Sequence, residues 1–157
     1  AKSAVGRAWS RPFLGFAFWA AKGGRVAIRI AAKSIAKLKT EVRLLTRRTC
    51  GRSLAQVAKD LRTYLLGWRG YFRLAETPKV LGELDEWIRH RLRAIQLKHW
   101  KRGRTVYREI CARGFSSDTA AQIAAHTRSW WRNSARGLHL ALPISYFDGL
   151  GVPRLAP

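Results

Sequence analysis

Apolar residues recur along this chain first at a spacing of two and then at the helical spacing. Phe13, Phe16 and Phe18 form a short aromatic run, and Lys22-Gly23-Gly24 is a turn signal. Val26, Ile28 and Ile30 then alternate with Arg25, Ala27 and Arg29. The pattern predicts a β-hairpin over 13–30, with aliphatic side chains on one face and arginines on the other. A lone hairpin is marginal in water, so this one is expected to rest on another surface.

Helical spacing follows. Ile35, Leu38, Val42 and Leu45 predict a helix over 33–49, which Cys50-Gly51 ends. Lys33, Lys37, Arg47 and Arg48 fall on its opposite side. One such face is ordinarily a solvated face, but a solvated face does not need a single sign of charge. Ser53 is a suitable N-cap for a second helix running to residue 74, with Leu54, Val57, Ala58, Leu61, Leu65 and Trp68 as its buried stripe. Gly67 inside it costs about 1 kcal/mol relative to Ala and is expected to mark close approach by another backbone. Pro78 breaks the chain before a third helix, 79–101, striped by Leu81, Leu84, Ile88, Leu92 and Ile95. Its acids, Glu83, Asp85 and Glu86, come early, and Arg89, Arg91, Arg93, Lys98 and Lys101 come late, an order that suits the helix dipole.

Three helices with facing stripes and short links make a small bundle. Beyond it, 105–112 predicts a short helix closed by Gly114, and Ser117 or Asp118 caps another that runs through Asn133. Trp130 and Trp131 are adjacent, so one is expected inside and the other outside. Residues 137–157, with Gly137, Pro143, Gly149, Gly151 and Pro153, are expected to be irregular but partly docked through Leu138, Leu140, Leu142, Tyr146 and Phe147. The fold class is mainly α, a small helical bundle preceded by a short β-hairpin. Its segments are 1–31, 32–136 and a tail at 137–157.

Charge narrows the function. The 157 residues hold 31 Lys and Arg against 9 Asp and Glu, a net charge of +22. A compact body so charged repels itself and calls for a polyanion, either nucleic acid or an anionic membrane surface. No apolar run reaches the length of a membrane span. Ala1 to Ser10 lacks the apolar core of a secretory signal, and the absence of Met leads us to expect a start inside a longer reading frame. The 7 Trp, 6 Phe and 4 Tyr suit stacking on bases as well as core packing. Cys50 and Cys111 are isolated, so no zinc site is expected. His90, His99, His126 and His139 are scattered, with no Ser or Cys partner suggesting a catalytic set.

Four stretches then act together: FLGF at 13–16, GWRGYF at 67–72, LDEWIRHRLR at 84–93 and KHWKRGRT at 98–105. In order and spacing they resemble the C-terminal maturase (thumb/X) part of bacterial group II intron reverse transcriptase/maturases. In that family a last palm hairpin carrying FLG(F/Y) leads into a domain with GWxxYF and then LDxWIRxRLR…KxWKRxRT. The likeness extends to Lys2-Ser3-Ala4-Val5 and to the closing ALP..YFDGLG. Two family features are missing. The Tyr-X-Asp-Asp polymerase motif does not occur, and before residue 60 the single acid is Glu41. The endonuclease that ends some members is also absent, as in members that stop after the maturase domain.

The resemblance implies that residues 1–31 end a reverse-transcriptase palm and that 32–136 is a thumb/maturase bundle. It implies binding of group II intron RNA to assist folding and splicing, in a bacterial cytoplasmic ribonucleoprotein of a retroelement. Phe13, Leu14, Gly15 and Phe16 would be primer-grip-like, Gly15 letting backbone approach nucleic acid. The expected RNA-binding cations are Lys33, Lys37, Arg47, Arg48, Arg89, Arg93, Lys98, Lys101, Arg102 and Arg104. Of these, Lys98, Lys101, Arg102 and Arg104 have the strongest case, because no acid is near them and Gly103 lets the backbone turn. Among the aromatics, Trp68 and Phe72 read as core, Tyr71 stays open, and Trp87 and Trp100 read as part-buried struts. No catalytic residue, metal ligand or cofactor is expected in this chain alone, since two-metal phosphoryl transfer needs clustered carboxylates. Mg2+ would serve the bound intron RNA and the full-length RNA-directed DNA polymerase. The alternatives are a polymerase thumb completed by another chain carrying fingers and palm, or a general basic nucleic-acid-binding protein.

Overall fold

The computed structural model describes residues 11–20, 22–49 and 51–156. Cys50 and the Lys2-Ser3-Ala4-Val5 stretch of the resemblance lie outside the described residues. The chain is mainly α, with a short antiparallel hairpin ahead of its helices. Strands β1 (Phe16–Ala20) and β2 (Val26–Ile30) pair from Phe16 opposite Ile30 to Ala20 opposite Val26. The turn between them uses Gly23 at φ 82 and Gly24 at φ 77, where a side chain would be strained. The division of faces is less clean than the alternation suggests. Ala27 is buried whereas Val26 is exposed, because the hairpin is covered on parts of both faces.

Helix α1 (Ala32–Leu45) is shorter than its predicted span, so Arg47 and Arg48 lie in the turn beyond it. Helix α2 (Leu54–Tyr71) opens on a reciprocal cap. The Gln56 N–H donates to Ser53 Oγ at 3.2 Å, and the Ser53 N–H donates to Gln56 Oε1 at 3.3 Å. Gly67 faces open space, so the close approach expected there does not occur. Helix α3 (Pro78–Trp100) starts with Pro78 in its first turn, where the missing N–H costs nothing.

Helix α4 (Gly103–Cys111) packs on α5 (Ser117–Ala125), which Ser116 caps. The single helix expected through Asn133 breaks at His126 and resumes as α6 (Trp130–Arg136). Two short helices, α7 (Leu138–Ala141) and α8 (Ile144–Gly149), replace the expected irregular path. One core joins all these parts. Leu38 and Val42 of α1 meet Val57, Leu61 and Leu65 of α2 and Leu84, Ile88, Leu92 and Ile95 of α3. Leu138, Leu142, Phe147, Val152 and Leu155 close it from the C-terminal side. Each such side chain contributes about 1.5–3 kcal/mol by leaving water.

Candidate nucleic-acid interface

The FLGF segment is a tight turn resting on two helices. Phe13 and Phe16 exchange backbone hydrogen bonds, both 2.9 Å, and the two central residues have positive φ, Leu14 at 49 and Gly15 at 82. That is the pattern of a type I′ turn, easy for Gly and strained for Leu. The Tyr71 hydroxyl donates to the Leu14 carbonyl at 2.8 Å, and Ser34 Oγ donates to that of Gly15 at 3.0 Å. A Cβ on Gly15 would lie 2.8 Å from Ser34 Oγ and 3.3 Å from Phe72 Cζ. The close approach that Gly15 permits is therefore that of α1 and α2, where the sequence suggested nucleic acid. Phe16 packs on Tyr71 and Phe72, while Phe13 and Leu14 remain exposed. Lys33 and Lys37 are exposed beside this turn, and Lys37 lines a cavity of about 570 Å³ with Leu14, Trp68 and Tyr71.

Lys98, Lys101, Arg102 and Arg104 are all exposed, and among the described residues none forms an ion pair. The reversal that gathers them is made by Lys101 and not by Gly103. Lys101 has φ 58 and ψ −61, and the Arg102 N–H donates across it to the Trp100 carbonyl at 2.6 Å. This is a classic γ-turn, a strained conformation for a residue with a Cβ. Gly103 serves a different need. Its Cβ would sit 3.1 Å from the Ala124 carbonyl oxygen, so glycine lets α5 close on the start of α4.

Other predicted contacts turn inward. Arg89 has no exposed surface and bonds to Asp85 and Asp148, and to the Val152 and Pro153 carbonyls. Arg93 is nearly buried, with Nε on the Leu142 carbonyl at 2.9 Å and its guanidinium over the Phe147 ring. Neither presents a face to RNA: both sit on the inner side of α3, where the helical stripe and the cations interleave. Arg48 lies over the Trp130 ring at 4.4 Å and donates to the Ala94 carbonyl at 3.3 Å, and burial lowers its pKa. Arg47 stays exposed.

A cluster the sequence did not single out lies around Trp87. Lys39 and Arg43, one turn apart on α1, and Arg91, one turn along α3 from Trp87, all face its half-buried indole. Their distances to the ring centre are 5.9, 5.4 and 5.4 Å. Among the described residues no carboxylate pairs with any of the three. Arg91 is held rigidly, Nε donating to Thr46 Oγ1 at 2.6 Å and a terminal nitrogen to the Thr46 carbonyl at 3.3 Å. Burial lowers its pKa, and the neighbouring Arg43 charge adds to that shift. Three like charges converging without an acid favour an anion over them, and the indole face supplies a partial offset.

These elements coincide with a known domain. Residues 35–115, more than half the chain, match the family model of the group II intron maturase-specific domain. The chain belongs to that family. No curated protein matches it. The maturase-specific segment holds α1 from Ile35 onward together with α2, α3 and α4. It therefore contains both the Trp87 cluster and the Lys98–Arg104 turn. The hairpin and α5 to α8 lie outside the match. Among the described residues, no three His, Cys, Asp or Glu side chains gather as a metal site. Likewise, no helix among them is long and apolar enough to cross a membrane.

Sequence could have supplied half of the Trp87 cluster. The pairs Lys39/Arg43 and Trp87/Arg91 each sit at helical i,i+4 spacing. That the two pairs face each other follows only from how α1 and α3 pack.

Proposed function

We propose that this maturase-specific domain binds group II intron RNA and assists its folding and splicing. The observation that carries the reading is the convergence of Lys39, Arg43 and Arg91 on Trp87, with no carboxylate paired to them among the described residues, inside the segment that defines the family. An RNA phosphate placed there would relieve the mutual repulsion of the three cations. The Lys98–Arg104 turn offers a second row of phosphate partners at the end of α3. Folded RNA presents phosphates, 2′-hydroxyls and splayed bases, and a rigid bundle with basic faces can hold such elements close together. Affinity then comes largely from released counterions.

The protein's part is electrostatic and geometric, and the intron RNA with its Mg2+ is the catalyst. Five of the nine carboxylates, Asp60, Glu76, Asp85, Glu109 and Asp148, are engaged by arginines, which supports a structural role for them. The setting is a bacterial cytoplasmic ribonucleoprotein. The test is a Lys39→Ala/Arg43→Ala variant, compared with the parent for affinity to a folded group II intron and for splicing support. A loss of roughly tenfold or more, with far-UV circular dichroism unchanged, is expected. Equal affinity would remove the Trp87 cluster from the interface. A parent that binds random RNA as tightly as the intron would favour a general basic nucleic-acid-binding protein.

A second reading is the thumb of an RNA-directed DNA polymerase completed by another chain. It is favoured by the exposed apolar side chains of the hairpin region, Phe13, Leu14, Trp19 and Val26. DNA synthesis restored on adding a chain with fingers and palm would support it.

A further inference from the structure

Outside the matched segment, α5 and α6 enclose a groove of about 420 Å³. Its floor is closely built. The buried Asn133 amide donates to the Ile123 carbonyl at 2.8 Å, tying the end of α5 to α6. Gly137 closes one end, where a Cβ would come within 2.9 Å of Ile123 Cγ1 and 3.0 Å of Asn133 Oδ1. Arg132 and Arg136, one turn apart on α6, stand exposed along one side. Among the described residues neither forms an ion pair. Leu140, 55% exposed, gives the groove an apolar surface, and the Gln122 side chain stands at the rim.

We infer that this groove holds one unstacked nucleotide of a single-stranded nucleic acid, its phosphate on Arg132 and Arg136 and its base against Leu140. The volume lies in the range of pockets that enclose small ligands. Two uncompensated guanidiniums one helical turn apart match a phosphate with its fixed charge. An apolar shelf beside an exposed amide suits a base, which has a face to stack and an edge to bond. A basic peptide would meet the two arginines, and an acidic one would leave Leu140 bare. A duplex keeps its bases stacked and cannot enter a groove this small. The inference rests on the chain's being a nucleic-acid binder, but it concerns a different surface and a different form of the ligand.

The test measures binding of a hexamer single strand, in ribose and deoxyribose forms, and of a duplex RNA, to the full chain and to Arg132→Ala/Arg136→Ala. The variant should bind the hexamer roughly tenfold more weakly while duplex affinity stays within about twofold. The slope of log affinity against log salt for the single strand should fall by about 0.7, the value for one phosphate no longer neutralised. Leu140→Ala should weaken the hexamer with the slope unchanged, since it removes a base contact and no charge. Loss in either sugar form supports the groove and identifies the strand. Loss in neither form, or an equal loss for hexamer and duplex, overturns it. A parent that binds the duplex but gains nothing from its arginines on the hexamer sinks this inference alone. A parent that binds neither sinks the proposed function as well.

Discussion

Arg89 in α3 and Asp148 in α8 are separated by 59 residues in sequence and meet at 3.3 Å inside the molecule. The same guanidinium donates to Asp85 at 2.8 Å, and Asp85 in turn accepts from the Leu155 and Ala156 N–H groups at 2.8 and 2.9 Å. Arg154 donates to the outer oxygen of Asp148 at 2.6 Å and holds that carboxyl below its ordinary pKa. A buried cation thus fastens the C-terminal segment to the middle of the maturase-specific domain. Arg89→Ala removes the charge partner of the buried Asp85 and leaves the Val152 and Pro153 carbonyls facing a void, so the chain should lose about 3–5 kcal/mol. Urea denaturation measures this. A loss below 1 kcal/mol would show that the C-terminal segment is held by its apolar residues alone.

Lys101 stores strain at the end of α3. Lys101→Gly should raise stability by about 1 kcal/mol, because glycine meets φ 58 without a Cβ clash. The same change removes one cation from the Lys98–Arg104 row, so RNA affinity should fall as stability rises. Thermal melts and filter binding on one preparation show whether the two move in opposite directions. A drop in stability would mean that the turn is not strained.

The row itself is tested by charge reversal. Lys101→Glu/Arg102→Glu should weaken intron binding and splicing support while leaving the fold intact, since exposed changes usually move stability by within about 0.5 kcal/mol. Unaltered affinity at moderate salt would leave the Trp87 cluster as the main contact.

His90 gives the fold a pH dependence. Its ring stacks on Trp131 with centres 3.7 Å apart, and Nε2 donates to the Trp131 carbonyl at 2.7 Å. Burial is the largest effect and lowers its pKa, so the neutral ring is favoured in the folded chain. The stabilisation is complete above the ordinary histidine range and is lost as pH falls through the lowered value. Parent stability should therefore decline on acidification from pH 7 toward 5, and His90→Gln should flatten that decline. Equal slopes for the two proteins would rule out His90 as the source.

Much of this was legible because periodicity reports burial. The stripes Leu54–Leu65 and Leu84–Ile95 face the core as their spacing requires, and the hairpin forms where alternation and Gly23-Gly24 place it. Single positions were harder. Arg89 and Arg93 look like surface charges, yet their alkyl stems follow the apolar stripe of α3 and their heads find carbonyls that only the folded tail supplies. Gly15 and Gly103 stand out in the sequence, but the protein neighbours that require them, Ser34 and Phe72 for Gly15 and the Ala124 carbonyl for Gly103, come only from the packing. The Trp87 cluster depends on the rotation of α1 against α3, which no local pattern encodes. The helices of the tail were hidden by Gly and Pro, which here cap and separate short turns.

The hairpin has two unlike borders. On the β2 side the Glu76 N–H donates to the Ile28 carbonyl at 2.7 Å, and the Glu76 carboxylate pairs with Arg25 at 2.7 Å, so that border is already sealed by the loop before α3. Past Phe16, among the described residues, no backbone hydrogen bond reaches β1 from outside the hairpin. Among the described residues the β1 flank is therefore the open border of the small sheet, the side away from Glu76 on which a further strand can pair.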